Sequence, residues 1–166
     1  MKTIKFKGLN CGLRGEFPNV GNQAPEFKLV GKDLTDIALS DLKGKRIVLN
    51  IFPSLDTDVC AMSVRRFNQA AAKIDNAIVM CVSKDLPFAA TRFCVAEGLN
   101  NVVTASAFRS QTFATDYGVD IVDGPLAGLL ARAVVVIDDT GRVIYAQLVD
   151  EITSEPDYEA VLEILK

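Results

Sequence analysis

The segment that most constrains this chain is Ile47–Phe52, a run of apolar residues interrupted only by Asn50, which lies in a strand expected over 46–52 and halts at Pro53. Six consecutive residues of this kind suit a strand buried on both faces. Pro53 cannot donate to a ladder, so the strand ends there. Beyond Asp56-Thr57-Asp58 the pattern changes period: Cys60, Ser63, Phe67, Ala70, Ala71 and Ile74 recur at steps of three and four, which predicts a helix over 59–74. A buried strand, a short loop and an amphipathic helix form the first half of a βαβ unit. Cys60 opens the helix on its core-facing stripe, where unpaired N–H groups and the positive helix end favour a thiolate.

The same pattern returns downstream. Residues 77–82 read as a second buried strand, and Pro87 suits the first turn of a helix that Gly98 stops. A strand over 101–105 and a short helix over 110–117 follow. Residues 133–137 and 143–149 flank Asp138-Asp139-Thr140-Gly141, a hairpin signal, and 157–165 close the chain as a helix. Upstream, short strands are expected at 27–30 and 37–39. Residues 3–7 and 13–17 alternate around Gly8-Leu9-Asn10-Cys11-Gly12 and predict an N-terminal hairpin, with Cys11 at a partly exposed position of its turn. The expectation is one domain over 1–166, with 1–17 as a hairpin extension: an α/β three-layer sandwich whose mixed sheet is flanked by helices. The apolar segment 121–130, broken by Gly and Pro, reads as a loop.

Composition narrows the chemistry. The chain has 166 residues, 49% of them hydrophobic, a net charge of -3 and no histidine. Without an imidazole, Cys60 lacks the base that hydrolytic cysteine enzymes use. No basic stripe marks a nucleic-acid partner. No apolar run reaches membrane-spanning length and no signal-peptide core opens the chain, so a reducing cytoplasm is the expected location. The four cysteines, Cys11, Cys60, Cys81 and Cys94, form no Cys-x-x-Cys pair and have no histidine to complete a mixed zinc site, so neither metal nor cofactor is expected. Cys60 is the candidate redox nucleophile, Cys81 a strand-core cysteine, and Cys94 falls mid-helix.

Peroxide reduction by a thiol needs a thiolate, help for the departing oxygen and a route back from the sulfenic acid. Thr57 can place a hydroxyl beside the sulfur or the peroxide. Pro53 covers the site without offering a competing donor. Arg132, which begins the apolar strand Ala133-Val134-Val135-Val136-Ile137, can supply a permanent charge. Arg65, Arg66 and Arg92 read as solvated or ion-paired, and Asp56 and Asp58 as loop and capping groups, although Asp58 would oppose the thiolate if it pointed inward.

The pattern Pro53-x-x-x-Thr57-x-x-Cys60 with Arg132 far downstream resembles the signature of the peroxiredoxins, in particular the bacterial thiol peroxidases with two cysteines in one chain. Asn50-Ile51-Phe52-Pro53-Ser54, Ser63-Val64-Arg65-Arg66-Phe67-Asn68, Asp85-Leu86-Pro87-Phe88-Ala89, Arg92-Phe93-Cys94, 131–138 and 148–153 carry the same likeness, which extends from about Pro18 to the C-terminus. The resemblance implies a thioredoxin fold, a homodimer, and reduction of hydrogen peroxide and organic hydroperoxides. It further implies Cys60 as the peroxidatic cysteine, Cys94 as the resolving cysteine, Thr57, Arg132 and Pro53 completing the site, and thioredoxin as reductant. The loops around Pro53 and 121–130 are then expected near the dimer contact. A disulfide needs Cα atoms roughly 4.4–6.8 Å apart, whereas packed helix axes stand about 8–10 Å apart, so bridging Cys60 to Cys94 is expected to require local unwinding. Two other functions remain open to the residues: thiol–disulfide exchange, disfavoured because no cysteine stands three positions after Cys60, and a redox sensor working through the same disulfide.

Overall fold

The computed structural model describes residues 1–166. Its strands are β1 (Lys2–Phe6), β2 (Leu9–Arg14), β3 (Lys28–Val30), β4 (Asp36–Ala38), β5 (Arg46–Ile51), β6 (Ala77–Ser83), β7 (Val103–Ser106), β8 (Asp120–Ile121), β9 (Ala133–Ile137) and β10 (Val143–Leu148). Its helices are α1 (Asp58–Ala71), α2 (Pro87–Glu97), α3 (Phe113–Asp116) and α4 (Tyr158–Ile164), with a 3-10 turn at Leu39–Leu42. Seven strands form a mixed sheet in the order β10-β9-β5-β6-β7-β3-β4, and β1-β2-β8 form a small second sheet. β5, β6 and β7 run parallel, and β9 joins β5 antiparallel. This is the expected α/β sandwich with helices on a mixed sheet.

Residue parity decides which face each side chain serves, because successive strand residues point to opposite sides. Val48, Val79, Val134 and Val136 meet Phe67 of α1 and Val161 and Leu165 at the C-terminal helix. Ile47, Leu49, Ile51, Met80, Val82, Ala133, Val135 and Ile137 face the other way, toward Phe113 and Tyr117 and toward Ile4, Cys11 and Leu13 of the hairpin. A third cluster joins Phe52, Leu55, Cys60, Val64, Cys81 and Ala90, where the C-terminal ends of β5 and β6 meet α1 and α2. The site therefore sits at the edge of the core, on the α1 face. Helix α2 ends as expected: Gly98 takes φ 67° and its N–H returns to the last turn, a left-handed cap that glycine adopts without strain.

The hairpin differs from the expectation. Phe6 pairs with Leu9 and Ile4 with Cys11, so the turn is the two residues Lys7-Gly8, both with positive φ, and the second strand is 9–14 rather than 13–17. A tight turn of this kind matches strand twist, and its register puts Cys11 inward. Cys11 is 0% exposed; it is a core residue, not a partly exposed turn thiol. Ile121 likewise belongs to a strand, pairing with Leu13, so the loop begins at Val122. Helix α1 ends at Ala71, one turn short of Ile74.

Candidate active site

Cys60 is 0% exposed and Arg132 is 1% exposed. Arg132 Nη2 donates to Cys60 Sγ at 3.1 Å, and its Nε donates to the Ile152 carbonyl at 2.7 Å. Parity explains the encounter: Arg132 stands one residue before β9 and shares the phase of Val134 and Val136, so it projects to the α1 side. Nη1 is buried without a partner. A buried guanidinium with an unspent donor is costly unless something accepts from it, and here it lies on the group that holds the sulfur.

The backbone behind Arg132 is braced by the N-terminal hairpin. Lys5 N–H donates to the Asp150 carbonyl, and Ile152 N–H to the Lys5 carbonyl. Glu151 accepts from the N–H groups of Lys7, Gly8 and Thr153 and from the Thr153 hydroxyl. These bonds, led by the Thr153 N–H and then that of Gly8, hold the Glu151 carboxyl down to about 2.

On the Cys60 side, Thr57 is the N-cap of α1, yet its hydroxyl makes no capping bond. It donates instead to the Ser54 carbonyl at 3.1 Å, which leaves the oxygen's lone pairs free to accept. Pro53 is buried at the end of β5. Asp58 occupies the first turn and is exposed, with its charge felt by Arg65, so it does not point at the thiol. Neither Asp56 nor Asp58 caps the helix with its carboxylate, contrary to expectation; the loop is closed by serine and threonine instead. Arg65 pairs with Glu97 across α1 and α2 at 2.7 Å, and Arg66 lies over the Tyr158 ring.

Two polar groups that sequence reasoning left unassigned shape the site. Asn50, buried in β5, donates through Nδ2 to Ser63 Oγ at 3.2 Å, and Ser63 Oγ donates to the Cys60 carbonyl at 2.8 Å. This relay pins the first turn of α1 to the sheet. Asp85 accepts from Ser54, Leu55 and Ser83. An asparagine inside an apolar run was a visible signal for the first; only tertiary proximity reveals the second.

All four cysteines are free thiols. Cys81 is buried beside Asn50, and burial pushes its thiol up to about 12, so it stays protonated. Cys94 is half-buried and raised by the same cause, which Lys32 opposes. It lines a cleft of about 590 Å³ between α2 and the β3–β4 turn, together with Lys32, Thr91, Val95 and Leu99. The structure thus brings Cys60, Arg132, Thr57 and Pro53 into one region and places Cys94 on the neighbouring helix, with no bond between the two sulfurs.

No group of three or more His, Cys, Asp or Glu side chains is placed to hold a metal ion, and no helix is long and apolar enough to cross a membrane. Residues 19–162 match the Redoxin family. A thiol peroxidase of Corynebacterium glutamicum is 53% identical over 99% of both chains. Among solved structures, a peroxiredoxin-like protein from Aquifex aeolicus is 42% identical, with a TM-score of 0.94 over 99% of this chain and 96% of that one. The thiol peroxidase from Chromobacterium violaceum shares the fold, with a TM-score of 0.90 and 23% identity over 98% and 94% of the two chains. With its family match covering most of the chain and its likeness to the Corynebacterium protein running end to end, the chain belongs to the redoxin family, among the thiol peroxidases.

Proposed function

We propose that this protein reduces hydrogen peroxide and organic hydroperoxides with Cys60 as the peroxidatic and Cys94 as the resolving cysteine. The observation that carries this reading is the 3.1 Å bond from a buried Arg132 Nη2 to the buried Cys60 Sγ. The Cys60 thiolate attacks one peroxide oxygen; the S–O bond forms as the O–O bond breaks, and water or an alcohol leaves with a proton. Arg132 stabilises the sulfur before attack and, through Nη1, the oxygen on which charge develops. Thr57 supplies a hydroxyl that accepts from the peroxide while held by Ser54, and Pro53 shields the sulfur. Cys94 then attacks the Cys60 sulfenic acid, forming the S–S bond and releasing water.

Thioredoxin returns both sulfurs to thiols, itself becoming oxidised. Exposed Phe88 and Val95 on the helix that carries Cys94 supply apolar surface for that encounter. The acting form is a cytoplasmic homodimer in which the loops around Pro53 and 122–130 lie near the contact. The test is peroxide consumption with thioredoxin and its reductase. Wild type should turn over, Cys60→Ser should be inactive, and Cys94→Ser should complete one oxidation and stop. Oxidation of wild type without turnover would point to a sensor instead, and activity in Cys60→Ser would overturn the assignment.

A further inference from the structure

The loop that carries Pro53 and Thr57 is closed on itself by bonds to Ser54, and a carboxylate from elsewhere ties it to the sheet. Asp85 lies in the turn between β6 and α2. Its Oδ1 accepts from the Ser54 hydroxyl at 2.9 Å, and its Oδ2 accepts from Leu55 N–H at 2.8 Å and the Ser83 hydroxyl at 2.7 Å. Its own N–H donates to Ser83 Oγ, and its carbonyl accepts from Ser106 Oγ, so the residue is fastened to the ends of β6 and β7. Ser54 passes the restraint on: its hydroxyl accepts from Asp56 N–H, and its carbonyl accepts from the N–H and hydroxyl of Thr57. No lysine or arginine pairs with Asp85. Neutral donors alone satisfy it, and two of the three belong to the active-site loop.

We infer that Asp85 is a positioning residue that latches the Cys60 loop to the root of the Cys94 helix, and thereby sets how readily the site opens for disulfide formation. This rests on the proposed roles of Cys60 and Cys94. Leu55, whose N–H the carboxylate grips, packs in the same buried cluster as Cys60, Cys81 and Ala90. Cys60 cannot leave that cluster for Cys94 unless the first turn of α1 and the loop before it let go, and the Asp85 bonds cross that line. Hydrogen bonds to a charged acceptor weigh enough that losing one or two shifts an opening equilibrium about 10- to 100-fold.

The latch governs a competition. The Cys60 sulfenic acid either opens and forms the disulfide with release of water, or stays folded and meets a second peroxide, gaining a second S–O bond as the O–O bond breaks and water or an alcohol leaves, which gives the sulfinic acid. Asp85→Asn keeps the shape but turns one acceptor into an NH2 group facing donors. Rapid mixing with hydrogen peroxide, alkylation of free thiols and mass spectrometry follow the sulfenic, disulfide and sulfinic species of Cys60 separately.

The expected result is disulfide formation about tenfold faster, a correspondingly higher peroxide concentration for half-conversion to sulfinic acid, and first oxidation within about threefold of wild type. Ser54→Ala, which removes one donor and no charge, should move the same ratio in the same direction by less, and it answers the question if Asp85→Asn does not fold. A purely structural role would lower stability and leave the partition between disulfide and sulfinic acid where it was; that result overturns the latch. If wild type forms no Cys60–Cys94 disulfide, the cysteine assignment fails instead, and the two failures are distinct.

Discussion

Replacing Arg132 by methionine keeps the apolar stem and deletes the charge. In the folded protein this removes the 3.1 Å bond to Cys60 Sγ and the 2.7 Å bond to Ile152 O, together with the unpartnered Nη1. A unit charge pair at 3.1 Å interacts by about 5 kcal/mol at an effective dielectric of about 20. Lost hydration of the thiolate takes back part of this. The net loss should resemble that of one transition-state donor, about 2.7–4 kcal/mol or 10²–10³-fold in rate. Stability should fall by less. The buried Ile152 carbonyl loses a partner, at about 1–3 kcal/mol, but the fold no longer buries a guanidinium with an empty donor.

The measurement is the second-order rate of Cys60 with hydrogen peroxide, read by competition, beside denaturant unfolding of the same sample. Arg132→Lys sharpens it, because a single ammonium cannot reach Ile152 O and Cys60 Sγ with the geometry of a fork. It should recover only part of the rate. A methionine variant that reacts as fast as wild type would refute the reasoning, and a fully active lysine variant would refute the argument from the fork.

Cys81→Ser should keep peroxide turnover, because the thiol is buried and pushed up to about 12; loss of turnover in a folded variant would contradict this. Glu151→Gln should flatten the acid limb of stability. A carboxylate held at about 2 rather than 4.5 stabilises the fold above about 4.5 and withdraws that support as pH falls toward 2, so an unchanged acid slope would argue against it. Phe67 is 1% exposed and meets Tyr158 edge-on at 5.2 Å, so Phe67→Ala should cost about 3–5 kcal/mol in denaturant unfolding; a loss under about 1 kcal/mol would show that the core collapses around the gap. Peroxide treatment should raise hydrogen exchange at the first turn of α1 and in α2. Unchanged exchange alongside a proven Cys60–Cys94 crosslink would show that no unwinding is needed.

What the sequence by itself determined was whatever depends on short range. Period and punctuation located the buried strand at 46–52 (46–51 in the fold), the helix opened at Cys60, the proline-started helix that Gly98 closes, and the hairpin at Asp138–Gly141, because strand pleat, helix repeat and turn chemistry are written within a few residues. The absence of histidine argued against most hydrolytic cysteine chemistry. Cys60, Cys94 and Arg132 stood out as candidates too, but that Arg132 projects to the α1 side, in phase with Val134 and Val136, was decided by the packing of the sheet. Tertiary structure decided the rest. The hairpin register turned on two positive-φ residues at Lys7-Gly8 and buried Cys11, since alternation alone does not say where a strand reverses. The outward direction of Asp58 depends on where α1 lies against the sheet. The Asp85 network joins residues about thirty positions apart, and an acidic residue in a turn looks like any solvated charge until the fold sets two serines and a backbone N–H around it. Local forces place the elements; long-range packing alone determines which polar groups must satisfy one another, and the working detail of this site is made of such pairs.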